Sequence, residues 1–166
     1  KEVRHFNIIP RIAMLSYSNF GSSDSPEARL VAEATRLVKK KMPSLIVDGE
    51  MQANVAFNKE LLKENYPFSE LVDKDINTLI FPNLAAGNVA YNLLQELGGA
   101  DAVGPILLGL KKPVHVLQLG SSVHSIVNMA LIAVVDAQSK DKHSSTEEIV
   151  NKSPWWKRFK KVSKDM

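Results

Sequence analysis

The sequence predicts an α/β fold of three layers, a mainly parallel sheet flanked by helices. Three observations carry that expectation. Short runs of β-branched and apolar residues alternate with longer stretches whose apolar positions recur at helical spacing. Loops rich in serine, glycine and asparagine follow several of the strand candidates. A length of 166 residues with 45% hydrophobic content is enough for one globular domain with a core that needs no staples.

The elements follow in chain order. Arg11 to Ser16 (RIAMLS) reads as a buried strand that ends in the polar loop YSNFGSSDS. A helix starts at once, with Ser25 as N-cap, Pro26 at the first helical position, and Ala28, Leu30, Val31, Ala34, Leu37 and Val38 on one face. Lys39 to Lys41 complement the negative end of that helix, and Pro43 stops it. Leu45 to Val47 is the next strand, leading through Asp48-Gly49-Glu50 into a helix from about Met51 to Glu64. Thr78 to Phe81 is a strand, Pro82-Asn83 a break, and Ala86 to Leu97 a helix closed by Gly98-Gly99. Val103 to Leu108 and Val114 to Leu117 supply the last strands. Gly120-Ser121-Ser122 then turns the chain into a long helix with Ile126, Val127, Ala130, Leu131, Val134 and Val135 along its face.

In a parallel sheet, ligands sit beyond the carboxyl ends of the strands. That rule gathers the loops at 17–23, 48–52, 82–88 and 118–122. The last of these lies at a helix N-terminus, where unpaired N–H groups and the helix dipole favour an anion, with Ser121, Ser122 and His124 in local reach. Two readings are open at this stage: Ser122 serves such a site, or it only caps the helix. Asp48 likewise either braces the turn at Gly49 or faces a ligand, and Asn83 either satisfies the loop at Pro82 or does so.

Composition narrows the function classes. The chain has no cysteine, so it has neither disulfides nor a thiolate zinc site, and its four histidines are scattered. The opening KEVRHF lacks the features of a secretory signal, and the longest apolar run, Ile126 to Val135, is broken by Asn128 and falls short of the roughly 20 residues needed to span a bilayer. A cytoplasmic protein without a membrane partner is expected. Residues 1–140 carry 14 basic and 14 acidic side chains, so the net charge of +3 comes from residues 141–166. A neutral body gives no sign of a nucleic-acid partner. The division expected is therefore a body over 1–140 and, from 141 to 166, a polar linker with a basic amphipathic end. There Trp155 and Trp156 are expected to dock on this or a neighbouring subunit.

Longer motifs are more specific. IFPNLAAGNVAYNLLQEL, GPILLGLKKPVHVLQLG and VHSIVNMALIAVVDAQ resemble, in that order, the C-terminal half of the phosphate acetyltransferase and butyryltransferase family. RIAMLSYSNFGS and VDGEMQANVAFN resemble earlier loops of the same family, so the resemblance covers roughly Ile9 to Gln138. Within it, the chain is most similar to the phosphotransacetylase-like C-terminal domain of hybrid NADP-dependent malic enzymes. The resemblance implies the isocitrate/isopropylmalate dehydrogenase-like architecture of phosphotransacetylases, with a further α/β lobe upstream and a ligand cleft between the lobes.

The departures from the family pattern carry the functional expectation. Active transacetylases resemble one another in Ser-Arg-Gly at the last turn followed by a pair of aspartates, the arginine handling phosphate and an aspartate acting toward the CoA thiol. Here Gln118 and Leu119 stand for Ser-Arg, Gly120 is kept, and His124 and Ser125 stand for the aspartates. Leucine offers no bidentate charged fork to a phosphate, and serine takes no thiol proton near neutral pH. Asn54 and Asn83 stand where the family resemblance implies acids, while Asp48, Gly49, Gln52, Gly87, Asn88 and Tyr91 remain.

The resemblance therefore implies a domain that holds acetyl-CoA, or a related acyl-CoA, as an effector without turning it over. The expected contacts are Ser16, Tyr17, Ser18, Gln52, Asn83, Asn88, Tyr91, Gly120, Ser121 and His124, with no catalytic residue and no metal ligand. NADP and a divalent metal are expected in upstream malic enzyme domains, because this chain has neither a G-x-G-x-x-G after a strand nor an acidic metal cluster. At least a dimer is expected, since the helix from Val123 to Val135 is apolar on more than one side. Two other classes stay open: a working acyltransferase between CoA and phosphate, and a purely structural assembly module.

Overall fold

The structure, a computed structural model, describes residue 3 and residues 8–98, 103–107, 110, 112–117 and 119–152, with the backbone alone for 139–152. The chain divides into two compact units, Lys1–Ala100 and Asp101–Met166.

The first unit is built on a parallel three-stranded sheet with β1 (Arg11–Leu15) between β2 (Ile46–Met51) and β3 (Thr78–Ile80). Side chains alternate across β1, so both faces of this central strand must be covered. On one face Met14 and Val47 pack on Val31 of α1 (Pro26–Lys41), with Ile12, Ala34, Val38 and Leu45 around them. On the other, Ala13, Leu15 and Met51 meet Val55 and Ala56 of α2 (Ala53–Phe57), Leu62 of α3 (Lys59–Asn65) and Leu71 of the following loop. These are the three layers of the expected α/β fold.

Helix α1 forms as its sequence predicts. The Ser25 hydroxyl accepts the Ala28 N–H, Pro26 opens the first turn, and Lys39, Lys40 and Lys41 occupy the last. The single helix expected from Met51 to Glu64 is two helices instead. Met51 still belongs to β2, and Asn58 breaks the rest, closing α2 with its backbone N–H and capping α3 by accepting the Leu61 N–H at 2.9 Å. Beyond β3, Asn83 caps α4 (Leu84–Gly98), its side-chain oxygen taking the Ala86 N–H at 2.9 Å.

In the second unit, the described residues of the runs expected to be strands, 103–107 and 114–117, form no strand. A strand exists only through a hydrogen-bonded neighbour, and neither run has one among the described residues. Val114, Val116 and Leu117 are accordingly 51%, 58% and 42% exposed. Helix α5 begins where expected but runs from Val123 to Lys152, through the segment read as the start of a linker. No glycine or proline interrupts those residues, so the change from apolar to polar composition changes the surface of the helix and not its backbone. The tryptophans at 155 and 156 lie outside the described residues.

One ion pair fastens two layers. The Asp48 carboxylate, only 5% exposed on β2, accepts from Lys39 Nζ of α1 at 2.7 Å, from Ser69 Oγ at 2.8 Å and from the Glu70 N–H at 2.9 Å. Burial pulls the Lys39 ammonium down, but its bonds to Asp48 and Glu70 outweigh that and hold it above the ordinary lysine value. A raised folded-state value gives stability that is complete below the unfolded value of about 10.4 and is lost as pH climbs through the folded one. Lys39→Met is expected to cost about 1–2 kcal/mol at pH 7, between the worth of exposed and buried pairs. Urea denaturation from pH 7 to 11 checks this: the wild type weakens above about pH 10.5 and the variant lacks that part of the loss.

Candidate functional site

Parallel pairing puts the carboxyl ends of β1, β2 and β3 at one edge of the sheet. The segments that leave there hold half of the expected contacts: Ser16 to Ser18 after β1, Gln52 after β2 and Asn83 after β3. The turn at 119–124 lies in the second unit.

The loop after β1 is fastened to the end of β2 from below and from the side. The Ser16 N–H donates to the Met51 carbonyl at 2.9 Å, and the Phe20 N–H to the Glu50 carbonyl at 2.8 Å. Glu50, 2% exposed, accepts with one oxygen, Oε1, from the Ser18 hydroxyl at 2.9 Å and the Gly21 N–H at 2.6 Å. Gln52 closes the other side: its N–H donates to Asn19 Oδ1 at 2.7 Å and its side-chain amide to the Tyr17 carbonyl at 2.5 Å. The reversal places Phe20 at φ +46° and Gly21 at +89°. A bulky residue in that region is strained, and here Phe20 is held by the Glu50 bond and by two neighbouring rings, Tyr66 at 4.9 Å and Phe68 at 5.1 Å.

Individual contacts expected from the sequence now have places. Ser16 is half-buried, and its hydroxyl oxygen accepts the Ser18 N–H at 3.2 Å. Tyr17 is 58% exposed, and its hydroxyl bonds Ser25 Oγ. Ser18 is 1% exposed and turned inward onto Glu50, so it orders the loop from within. Asn83 spends its side-chain oxygen on the cap of α4, while Asn88 and Tyr91 stand exposed on that helix. Asp48 braces its turn, also accepting the Gly49 N–H at 3.1 Å. Glu50, Asn19 and Ser22 escaped the sequence reading. The signal for Glu50 was present, an acid amid apolar strand residues of VDGEMQANVAFN, but the family resemblance there draws on Asp48, Gly49 and Gln52 and passes over it.

In the second unit, Gly120 sits at φ +87° in open space, and Leu119 beside it is fully exposed. Gln118 lies outside the described residues. Ser122 caps α5: its hydroxyl accepts the Ser125 N–H at 3.1 Å and pairs with the Ser125 hydroxyl at 2.9 Å. His124 Nε2 lies 2.9 Å from the side-chain nitrogen of Asn128, one turn along. Ser121 is half-buried. Among the described residues there is no group of three or more His, Asp or Glu side chains that could hold a metal ion, and no helix long and apolar enough to cross a membrane.

A parallel sheet with polar loops stapled over its carboxyl edge defines an α/β domain of the kind that receives ligands at strand ends. Residues 1–134 match the family described as phosphate acetyl/butaryl transferase, and the chain belongs to that family. It is 44% identical over 139 residues to the NADP-dependent malic enzyme of Escherichia coli (strain K12), covering 83% of this chain and 18% of that one. It is also 44% identical over 132 residues to the phosphate acetyltransferase of Bacillus subtilis (strain 168), covering 80% and 41% respectively. Among solved structures, a phosphotransacetylase from Streptococcus pyogenes superposes with a TM-score of 0.77 at 42% identity, over 83% of this chain and 42% of that chain. The chain thus spans about two-fifths of the length of these transacetylases and under one-fifth of that of the malic enzyme.

Gly49 separates the two buried carboxylates and presses on β1. It has φ +138°, and an added Cβ would fall 2.5 Å from the Met14 carbonyl oxygen. Gly49→Ala is expected to lower stability by about 2–4 kcal/mol, combining the strained φ with the overlap. Chemical denaturation reads this as a fall in midpoint at unchanged slope.

Proposed function

We propose that this chain is the regulatory, phosphotransacetylase-like part of an NADP-dependent malic enzyme, and that it holds acetyl-CoA or a related acyl-CoA as an effector without reacting it. The observation that carries the reading is the turn at 119–125. The resemblance implies a charged fork and a carboxylate there, whereas Leu119 projects fully into solvent and Ser125 donates its N–H to the Ser122 hydroxyl and pairs its own hydroxyl with it. Neither can neutralise a phosphate or take a thiol proton. The likeness to the malic enzyme of Escherichia coli at 44% identity supports the assignment to such an enzyme. In the whole protein, upstream domains would oxidatively decarboxylate malate with NADP and a divalent metal.

The acyl-CoA contacts proposed are Ser16, Tyr17, Gln52, Asn83, Asn88, Tyr91, Gly120, Ser121 and His124, with Ser18 acting from beneath the loop. A homo-oligomer of at least two chains is part of the proposal. Its support is the apolar surface of α4, where Leu84, Leu93, Leu94 and Leu97 are 79%, 52%, 59% and 82% exposed. We infer a cytoplasmic setting, with which a chain lacking cysteine agrees.

A second reading, a working acyltransferase between CoA and phosphate, is favoured by the equal 44% identity to the Bacillus subtilis phosphate acetyltransferase. One pair of measurements on the full chain separates them. Calorimetry with acetyl-CoA is expected to show saturable binding, while adding phosphate releases no CoA. Phosphate-dependent CoA release would establish the acyltransferase instead, and absence of acetyl-CoA binding would defeat the effector reading.

A further inference from the structure

Glu50 is a carboxylate, 2% exposed, that pairs with no cation in the hydrogen bonds or ion pairs of the described residues. Leaving a charge there is costly, so the bonds it receives must do something for the molecule that an apolar residue would not. Their effect is visible in the loop above it. From Ser18 to Ser23, every backbone N–H is already engaged: Ser18 to Ser16 Oγ, Asn19 to Ser22 Oγ, Phe20 and Gly21 to Glu50, Ser22 to the Asn19 carbonyl, and Ser23 to Ser18 Oγ. The Ser18 hydroxyl links the set, receiving the Ser23 N–H at 3.0 Å while giving its own hydrogen to Glu50.

A loop whose N–H groups all point into its own network is no anion nest, however rich it is in glycine and serine. Charge leads to the same place. The segments 16–25, 48–52 and 81–88 contain Asp24, Asp48 and Glu50 and no lysine, arginine or histidine. What the loop keeps for a ligand is uncharged. The Ser16 and Ser23 hydroxyls each accept one bond and have a hydrogen to give, and Gln52, whose amide nitrogen is held by the Tyr17 carbonyl, has a side-chain carbonyl oxygen. Such groups match amides, which both donate and accept, better than they match a free phosphate.

We propose that Glu50 is the positioning residue of the strand-end site: by drawing the loop's donors inward it gives this edge of the sheet to the neutral, amide-bearing pantetheine arm of an acyl-CoA and denies it to free phosphate. The proposal rests on the acyl-CoA reading above and assigns a part of that ligand to these loops. Both bonds to Glu50 end on the same oxygen, so a glutamine carbonyl can stand in for it, whereas alanine cannot.

The test is calorimetry on the full chain with acetyl-CoA, with D-pantetheine and with inorganic phosphate, for the wild type and for Glu50→Gln, Glu50→Ala and Ser18→Ala, each checked for folding by circular dichroism. Wild type and Glu50→Gln are expected to bind acetyl-CoA and pantetheine within about threefold of each other. Glu50→Ala is expected to weaken both by about tenfold or more, the loss of one to two hydrogen bonds' worth of preorganisation. Ser18→Ala, which leaves β2 intact, is expected to weaken both in the same direction and serves alone if Glu50→Ala does not fold. Excess phosphate should not displace pantetheine. Folded Ser18→Ala and Glu50→Ala chains that bind like the wild type, or phosphate that displaces pantetheine, would overturn the role given to Glu50 while acetyl-CoA binding left the effector reading standing. A wild type that binds no acetyl-CoA would end both.

Discussion

The constraint on which the rest of this structure depends is the burial of two carboxylates on one strand, either side of a glycine pressed against its neighbour. Asp48 and Glu50 are 5% and 2% exposed. A buried charge without partners is among the costliest features a fold can carry, so each must find donors, and the donors come from different places. Asp48 draws on the cation at the end of α1 and on the segment at Ser69-Glu70; Glu50 draws on the loop after β1. Gly49 makes this possible, because any Cβ there would collide with the Met14 carbonyl. Meeting the needs of three consecutive residues thus joins a helix, a sheet and two loops.

That joining is also what shapes the site. The central position of β1 brings the ends of all three strands to one edge, but a parallel sheet alone leaves the loops there free to wander. Glu50 and Gln52 pin the loop after β1 at both sides, and Phe20 wedges it onto Tyr66 and Phe68 despite an unfavourable backbone angle. The outcome is a polar edge whose first loop is fastened at both sides, an arrangement that suits the proposed holding of a ligand. In the turn at Leu119 to Ser125, Ser122 and Ser125 are engaged in the cap of α5 and His124 lies against Asn128.

Much of the first unit was legible in the sequence. Ser25-Pro26 and the three lysines mark α1 because caps and helix-end charges act locally, and the α/β alternation follows from periodicity. Features requiring a partner were not legible. The runs at 103–107 and 114–117 have strand composition, yet composition does not supply a neighbouring ladder, and among the described residues there is none. Asn58 looked like one more residue in a helix until its side chain was seen to cap the next. The polar stretch from residue 141 reads as a linker because hydropathy reports surface, while the backbone needs only the absence of breakers to stay helical. Topology placed the loops after β1, β2 and β3 at one edge, but which side chains turn inward depended on a buried carboxylate that no local rule singles out.

The central claim is that the strand-end loops, braced by Glu50 and Gln52, receive an acyl-CoA and hold it unreacted. Hydrogen–deuterium exchange on the full chain, with and without acetyl-CoA, tests this most directly. The account predicts added protection in peptides covering 16–23 and 84–91, with the acetyl-CoA recovered intact. Unchanged exchange in both segments at saturating acetyl-CoA, or recovery of free CoA, would contradict it.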